Sequence, residues 1–273
     1  MLYLKMLFIW RYVLAVEDLP LFDHRYDEPR NPMSRLLKCE GDNTIPERFL
    51  LSFMGDSLSI YVEKHHCSKI SNYHSEVRDF PIYETRVRDV RIGLVQAPVG
   101  APAVAILADL LIASGVRAIV ACGGCGVLTP IESGAILVPT RALRDEGTSF
   151  HYMEPSTYID LDHDAIEAIE STLIEHKVPY DTCTTWTTDG FFRETPRLIS
   201  LRRNQGCSVV EMECSSLAAV ARCSGTLFAE ILYSGDSLAE PDNHDERSWL
   251  LDFDARTISF FMALSSLAKI ALN

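Results

Sequence analysis

The sequence predicts a layered α/β fold in which strands and helices alternate along the chain. Short apolar runs alternate with stretches of helical periodicity from residue 49 onward, and no internal repeat or low-complexity tract interrupts them. Hydrophobic residues make up 47% and charged residues 23% of the 273 positions, a balance that suits one large domain with a substantial core. We therefore expect an α/β domain over residues 48–273 with a largely parallel or mixed sheet, and an N-terminal arm over residues 1–47.

The first half of the domain has a strand, helix, strand order. Apolar runs predict strands at residues 49–53, 91–96, 118–121 and 135–139, and we expect the third of these to stop at Gly123-Gly124. Helical patterns cover residues 101–113 and 164–175. Asp162 or Asp164 could cap the start of the second of these helices.

The second half continues the alternation and ends in a helix. Residues 180–187 and 227–233 predict strands, residues 209–210 a short strand that leads into a helix through residue 221, and residues 196–204 a helix with proline in its first turn. Residues 255–272 carry a broad apolar face, which suits a helix that docks on the sheet.

The N-terminal segment has a different composition. Its first sixteen residues are apolar, but Lys5 and Arg11 interrupt the run, no small-residue cleavage site follows, and the run is too short to span a bilayer. A packing segment is therefore favoured over a signal peptide. Residues 13–47 are rich in charge and proline, which is typical of an irregular wrapping arm. Because the eight cysteines are scattered rather than arranged in a disulfide framework, we expect a cytoplasmic protein without a membrane partner.

Net charge and cysteine spacing limit the possible partners. A formal net charge of −13 opposes binding of a nucleic acid polymer, although a few arginines could still favour a small anionic substrate in a pocket. Cys122 and Cys125 form a C-x-x-C pair, which could indicate redox or zinc chemistry. The spacer is Gly-Gly and no second ligand pair follows, so we expect no metal site.

Two segments that follow predicted strands carry groups suited to ligand binding, because ligands of α/β sheets bind where strands end. Residues 122–126 offer backbone N–H groups for an anion or a sugar hydroxyl, although a tight turn would have the same composition. Glu211 and Glu213 flank Met212 where a strand gives way to a helix. Buried carboxylates need hydrogen-bond donors, which the vicinal hydroxyls of a ribose supply; acidic residues favoured by a helix N-terminus are the alternative.

These segments together resemble the nucleoside phosphorylase superfamily, which includes uridine phosphorylase and bacterial purine nucleoside phosphorylase. Val210-Glu-Met-Glu-Cys214 followed by a small-residue helix resembles the ribose-binding signature of that family. The other matching segments, in chain order, are Gly100-Ala-Pro102, Gly123-Gly-Cys-Gly126, Arg144-Asp-Glu-Gly-Thr-Ser149 and Ser234-Gly-Asp236. The resemblance covers residues 49–249 and implies a three-layer α/β/α fold with a central mixed, largely parallel sheet.

The resemblance implies a role for each of several residues. Glu213 would hold the ribose hydroxyls, with Glu211 and Met212 lining the sugar face. The base would be bound by Trp186, through stacking, and by Phe191, Phe192, Thr195 and Arg197. Thr195 replaces the glutamine that reads uracil, so we expect a preference for purines. Asp236 matches the general acid of the purine-cleaving members, and Arg247 would assist it.

The predicted phosphate site departs from the family pattern. Arg78, Gly55 and Gly124 occupy phosphate-binding positions, and Arg78 matches an arginine that the neighbouring subunit lends. However, Ser59 and Ala121 stand where two clamp arginines are expected, and Gly124 replaces a hydroxyl residue. Arg144 or the N-terminal arm could supply the missing charge. Loss of two charge-assisted contacts should weaken phosphate binding severely.

We therefore expect a nucleoside phosphorylase-like pentosyltransferase that cleaves the N-glycosidic bond of a purine or pyrimidine nucleoside and transfers ribose to phosphate. A nucleosidase that uses water and a non-catalytic nucleoside-binding protein are the alternatives. Phosphate would be a co-substrate, no other cofactor is expected, and the resemblance implies a homo-oligomer.

Overall fold

The computed structural model describes residues 44–240, 244–247 and 252–272. The predicted N-terminal arm lies almost wholly outside these residues, and it stays a prediction. No helix of the described residues is both long enough and apolar enough to cross a membrane.

Within the described ranges, ten strands form one mixed sheet. They are β1 (Arg48–Ser52), β2 (Ser68–His74), β3 (Asp79–Val87), β4 (Val90–Gln96), β5 (Ala118–Val127), β6 (Ile136–Asp145), β7 (Tyr158–Asp160), β8 (Tyr180–Thr188), β9 (Val209–Glu211) and β10 (Leu227–Ser237). Their order is β10-β6-β8-β9-β5-β1-β4-β3-β2, with β7 paired to β6. The strands β4, β1, β5 and β10 are parallel neighbours, in agreement with the predicted largely parallel or mixed sheet.

One half of the sheet closes on itself. β5 pairs with β9 and also with β10, so that β10, β6, β8, β9 and β5 form a ring. All five strands contribute to one apolar cluster, which contains Cys125, Val127, Leu137, Cys183, Val209 and Leu232. The sequence did not predict this closure.

Six helices of the described residues cover the sheet. They are α1 (Gly55–Lys64), α2 (Ala101–Ala113), α3 (His163–Glu175), α4 (Pro196–Asn204), α5 (Cys214–Ser224) and α6 (Phe253–Leu267), and short 3₁₀ turns lie at Thr148–His151 and Phe191–Arg193. α2 packs on α5, whereas α6 packs on α1, α3 and the strands β5 and β10. Asp162 caps α3, because its Oδ1 accepts the Ala165 N–H at 3.1 Å.

The predicted end of the third strand was wrong. β5 continues through Gly123 and Gly124, and both glycines pair with β10. A Cβ on Gly124 would lie 2.9 Å from the hydroxyl oxygen of Tyr233, closer than real Cβ atoms come. The glycine therefore permits an aromatic ring of the neighbouring strand to pack tightly, and it does not terminate the strand.

Candidate active site

Several of the predicted site residues lie where the ends of β5, β9 and β10 meet. β9 pairs with the end of β5 through Val210 and Gly126. Asp236, near the end of β10, lies over Gly126, with its Oδ1 3.4 Å from where a Cβ would be. Glu213 follows β9 after a single residue. Asp236 and the segment that leads from β9 to Glu213 thus both adjoin the end of β5, and ligands of α/β folds bind at the ends of strands.

Glu211 is a buried carboxylate, and both of its oxygens accept hydrogen bonds from neighbouring groups of the protein. Its Oε1 accepts hydrogen bonds from Thr187 Oγ1 at 2.6 Å and Thr185 Oγ1 at 3.1 Å. Its Oε2 accepts from the backbone N–H groups of Glu213 and Cys214, both at 2.6 Å, so it also caps α5. Burial raises the pKa of Glu211, and the hydrogen bonds oppose that change. Glu211 therefore holds the loop that carries Glu213, in place of the predicted direct contact with the sugar.

Glu213 lies just before α5, and its predicted contact with the ribose hydroxyls stays a prediction. It is 7% exposed, and its Oε1 accepts the backbone N–H of Gly100. Gly100 has a φ of 98°, a left-handed conformation that favours glycine, and it precedes α2. Burial, followed by the charge of Glu211, raises the pKa of Glu213 to about 8. The carboxylate retains acceptor capacity for hydroxyl donors. Met212 beside it is half-buried, and its contact with the sugar stays a prediction.

Asp236 pairs with a histidine. Nε2 of His244 lies 2.7 Å from Asp236 Oδ2, and a backbone bridge between β10 and residue 245 holds the histidine there. Arg247 instead donates from Nη1 to the carbonyl oxygen of Ile131 at 2.8 Å. The structure thus does not support Arg247 as the partner of Asp236, and it offers His244. The sequence places this histidine in the same polar loop, but its spacing gave no reason to choose it.

A second carboxyl group, which the sequence analysis missed, lies near enough to Asp236 for the charge of Asp236 to affect its pKa. Glu194 is half-buried just after the 3₁₀ turn that precedes α4. Burial, reinforced by the charge of Asp236, raises the pKa of Glu194 to about 7. A carboxyl group with such a pKa can hold or release a proton near neutrality. The sequence could have indicated Glu194 as a site residue, because it lies between the predicted base-binding residues Phe192 and Thr195.

Four of the predicted base-binding residues form an exposed segment on either side of Glu194, namely Phe191, Phe192, Thr195 and Arg197. Phe191 and Phe192 pack edge to face with ring centroids 5.0 Å apart, and Phe192 is 93% exposed. Thr195 and Arg197 are exposed at the start of α4. These groups flank Glu194, and their contact with a base stays a prediction.

Trp186, the fifth predicted base-binding residue, is not part of this exposed segment. Its ring is fully buried in a cluster with Val210 and other apolar residues, and its indole N–H donates to Asp145 Oδ2 at 2.9 Å. Arg202 donates to the same carboxylate oxygen at 2.6 Å. The predicted stacking of Trp186 on a base is therefore replaced by a packing role behind the site. Side chains alternate between the two faces of β8, and the Trp186 ring lies on the face that packs against the apolar cluster. The resemblance had placed this ring against the base.

Gly55 and Arg78 lie close together in the same chain. A Cβ on Gly55 would lie 2.9 Å from Gln96 Nε2, and Gln96 Oε1 accepts a hydrogen bond from Arg78 Nη2 at 2.9 Å. The guanidinium also lies 4.7 Å from the ring centroid of Phe80. Gln96, which the sequence analysis missed, thus brings the charge of Arg78 to the Gly55 end of β1. The resemblance had assigned Arg78 to the site of a neighbouring subunit.

Arg144 has a structural role, because its hydrogen bonds join segments of the fold. It is buried, and it donates to Ser149 Oγ and Ser156 Oγ, both at 2.8 Å. Glu146 accepts from the Ser149 N–H and from Ser215 Oγ, which ties this segment to α5. The suggestion that Arg144 supplies charge to phosphate is therefore not supported.

Cys122 and Cys125 are both buried on β5, and burial raises the pKa of each thiol. Residues three apart on a strand point to opposite faces. Cys122 accordingly belongs to the main core, whereas Cys125 belongs to the cluster within the strand ring. The two thiols therefore do not face each other.

Comparison with known proteins identifies a family and a relative that this chain resembles. The family model described as the phosphorylase superfamily matches residues 47–266. A guanosine phosphorylase from Halorubrum lacusprofundi is 25% identical over 149 residues, which is 54% of this chain and only 62% of the length of that relative.

Solved structures with the same fold include enzymes of both reaction types. A uridine phosphorylase from Vibrio fischeri superposes with a TM-score of 0.71 at 21% identity, covering 82% of this chain and 93% of that one. An AMP nucleosidase from Bacteroides thetaiotaomicron superposes with a TM-score of 0.66 at 20% identity, covering 83% and 89%. A purine nucleoside phosphorylase from Toxoplasma gondii in complex with immucillin-H gives 0.69 at 16% identity, covering 84% and 92%.

Proposed function

Because the chain belongs to the phosphorylase superfamily, we propose that it cleaves the N-glycosidic bond of purine nucleosides and transfers the ribose to phosphate. One observation carries this proposal: the segment that leads to Glu213 and the Asp236–His244 pair both adjoin the end of β5. Glu213 is an acceptor suited to a sugar, and Asp236 with His244 is an acid–base pair suited to a leaving base. The guanosine phosphorylase among the relatives supports a purine substrate.

The proposed reaction divides between these groups. The bond between C1′ and the base nitrogen breaks, and its electron pair goes to the base. A proton delivered through the Asp236–His244 pair, or from Glu194, neutralises the charge that develops on the base. A phosphate oxygen forms the new bond to C1′, which leaves ribose 1-phosphate. Glu213 holds the ribose hydroxyls and fixes the sugar during this exchange.

Hydrolysis is the second candidate, because Ser59 and Ala121 provide no charge for phosphate. Ser59 is exposed and donates to the Gly55 carbonyl oxygen at 3.0 Å, and Ala121 is fully buried in β5. A fold shared with an AMP nucleosidase is consistent with this alternative. Water would then take the place of the phosphate oxygen, and the product would be free ribose.

Product analysis separates the two reactions. The protein is incubated with inosine, guanosine, adenosine and uridine, with and without phosphate, and the sugar product is identified as ribose 1-phosphate or ribose. We expect base release that requires phosphate, a Michaelis constant for phosphate in the millimolar range, and slower turnover of uridine than of purine nucleosides. Phosphate-independent release of ribose would establish hydrolysis. Absence of base release from all four nucleosides would refute both phosphorolysis and hydrolysis.

A further inference from the structure

Arg256 is a buried cation whose described partner is neutral. It lies on α6, is 6% exposed, and donates from Nη1 to the hydroxyl oxygen of Tyr233 at 3.1 Å. An arginine keeps its charge inside a protein, and a buried charge without a counterion is strongly unfavourable. Asp252, which caps the start of α6, accepts the Ala255 N–H at 3.1 Å through Oδ1 and forms no ion pair with Arg256. Among the described residues Arg256 forms no ion pair, so its position calls for an anion.

The Arg256–Tyr233 pair lies against the glycine segment of β5. The hydroxyl oxygen of Tyr233 is 2.9 Å from the place that a Cβ on Gly124 would take. Gly126, two residues further on, faces the same side of the strand, and there Asp236 lies over it. Residues two apart in a strand are separated by about 7 Å. The pair therefore lies roughly one sugar ring away from the acid that we place at the base.

One turn beyond Arg256, α6 contacts the segment after β1. Ser259, three residues along α6, places its Oγ 3.6 Å from Sδ of Met54. Met54 immediately precedes Gly55, which lies beside Gln96, and Gln96 in turn accepts a hydrogen bond from Arg78. The helix α6 thus carries Arg256 against Tyr233 of β10 and, one turn later, Ser259 against the segment after β1.

We propose that Arg256 and Tyr233 form an oxyanion site that holds a phosphate group beside the sugar. Arg256 would supply the charge that Ser59 and Ala121 do not, and the Tyr233 hydroxyl would stand in for a side chain on Gly124. A guanidinium offers several N–H donors in one plane, which fits phosphate oxygens. The ligand is a phosphate dianion, either inorganic phosphate or the phosphate monoester of a nucleotide substrate. This inference rests on the proposed function and names what holds its phosphate.

Direct binding measurements test the site without requiring turnover. Inorganic phosphate is titrated by calorimetry into the wild type, Arg256→Gln, Tyr233→Phe and the control Arg222→Gln. Arg222 is exposed on α5 and bonds only to the carbonyl oxygen of Asp160 among the described residues. We expect Arg256→Gln to weaken phosphate binding about tenfold to a hundredfold, Tyr233→Phe to weaken it about threefold to tenfold, and the control to leave it unchanged.

Thermal unfolding gives a second readout that a merely structural arginine would not produce. Removing an uncompensated buried charge should not lower stability, so we expect Arg256→Met to melt at or above the wild-type Tm in phosphate-free buffer. Phosphate should raise the Tm of the wild type but not that of Arg256→Met, because only binding to the folded state stabilises it. A structural arginine would give the opposite: a lower Tm for the variant and an unchanged response to phosphate.

The two phosphate sources are separated by a parallel titration with guanosine and its 5′-monophosphate. Loss of inorganic phosphate binding in Arg256→Gln identifies a co-substrate site, and selective loss of monophosphate binding identifies a nucleotide-monoester site. If Arg256→Gln changes neither, the proposal is wrong even when the wild type cleaves nucleosides. Conversely, Arg256-dependent phosphate binding in a protein that releases no base would keep the site and refute the proposed function.

Discussion

Replacing Glu213 by glutamine should weaken nucleoside binding and stabilise the ligand-free protein at the same time. The amide retains an oxygen that can accept the Gly100 N–H, so we expect the loop before α5 to keep its conformation. What changes is the charge of a carboxyl group that is 7% exposed. Binding and folding respond to that charge in opposite directions.

The binding effect follows from the strength of charge-assisted hydrogen bonds. A carboxylate that accepts from hydroxyls forms bonds about twice as strong as those of a neutral amide, so we expect a loss of at least ~1.5 kcal/mol, or tenfold in Kd. Since the pKa of Glu213 is about 8 in the free protein, the carboxyl must lose a proton to bind as a carboxylate. The wild-type Kd should therefore rise as pH falls below 8, whereas the Kd of Glu213→Gln should not follow this pH dependence.

The stability effect has the opposite sign. The pKa of Glu213 rises from an ordinary 4.5 to about 8 on folding, so the stability that this group contributes is complete below pH 4.5 and is lost as pH rises through 8. Integrated over that interval, the loss is at most ~5 kcal/mol. Glu213→Gln lacks this titration, so its Tm at pH 8.5 should exceed that of the wild type.

Calorimetry in two buffers of different ionisation enthalpy measures both the Kd and the protons released on nucleoside binding, and thermal unfolding between pH 5 and 9 measures stability. Glu167→Gln, an exposed substitution on α3, is the matched control and should change neither quantity. Unchanged affinity together with unchanged proton release in Glu213→Gln would show that this carboxyl group does not touch the sugar.

Three further predictions address the base side and the packing behind it. Asp236→Asn should lower kcat/KM for purine nucleosides about a hundredfold in steady-state assays, while the exposed control Asp181→Asn should not. Because the pKa of Glu194 is about 7, activity that uses its proton should fall as pH rises through 7, and Glu194→Gln should abolish this limb of the pH profile; a retained limb would assign it to another group. Trp186→Phe should lower the free energy of unfolding by about 1–2 kcal/mol, measured by denaturant titration, because it removes the hydrogen bond to Asp145. A large change in KM with unchanged stability would restore Trp186 to the base site.

Much of the sheet and most of its helices could be predicted from hydrophobic periodicity, because buried strands and amphipathic helices impose it on the sequence. The helix at Ala101–Ala113 and the helix at Pro196–Asn204 have the predicted bounds. α1, β2 and β3 escaped prediction because they carry many polar residues, and β3 contains Pro81. Closure of the strand ring depends on the pairing of β5 with β10, more than 100 residues apart in sequence, which no local pattern encodes.

The site was predictable where a motif fixed the backbone and less so where side-chain direction mattered. Glu213 and Asp236 lie where strand ends place them. Trp186 was misassigned because its neighbours in the motif say nothing about which face of β8 the ring takes. His244 and Arg247 are three residues apart in one polar loop, and only the backbone bridge at residue 245 decides which of them meets Asp236.

The strand ring also indicates where substrate preference can change. A strand that is paired on both sides is held by two ladders of hydrogen bonds, so a change in its backbone also affects the neighbouring strands. Segments outside the ring, such as Phe191–Arg193 and the start of α4, are exposed and carry no such constraint. Directed variation to alter base selectivity should therefore begin at residues 191–197 and leave β5, β9 and β10 intact.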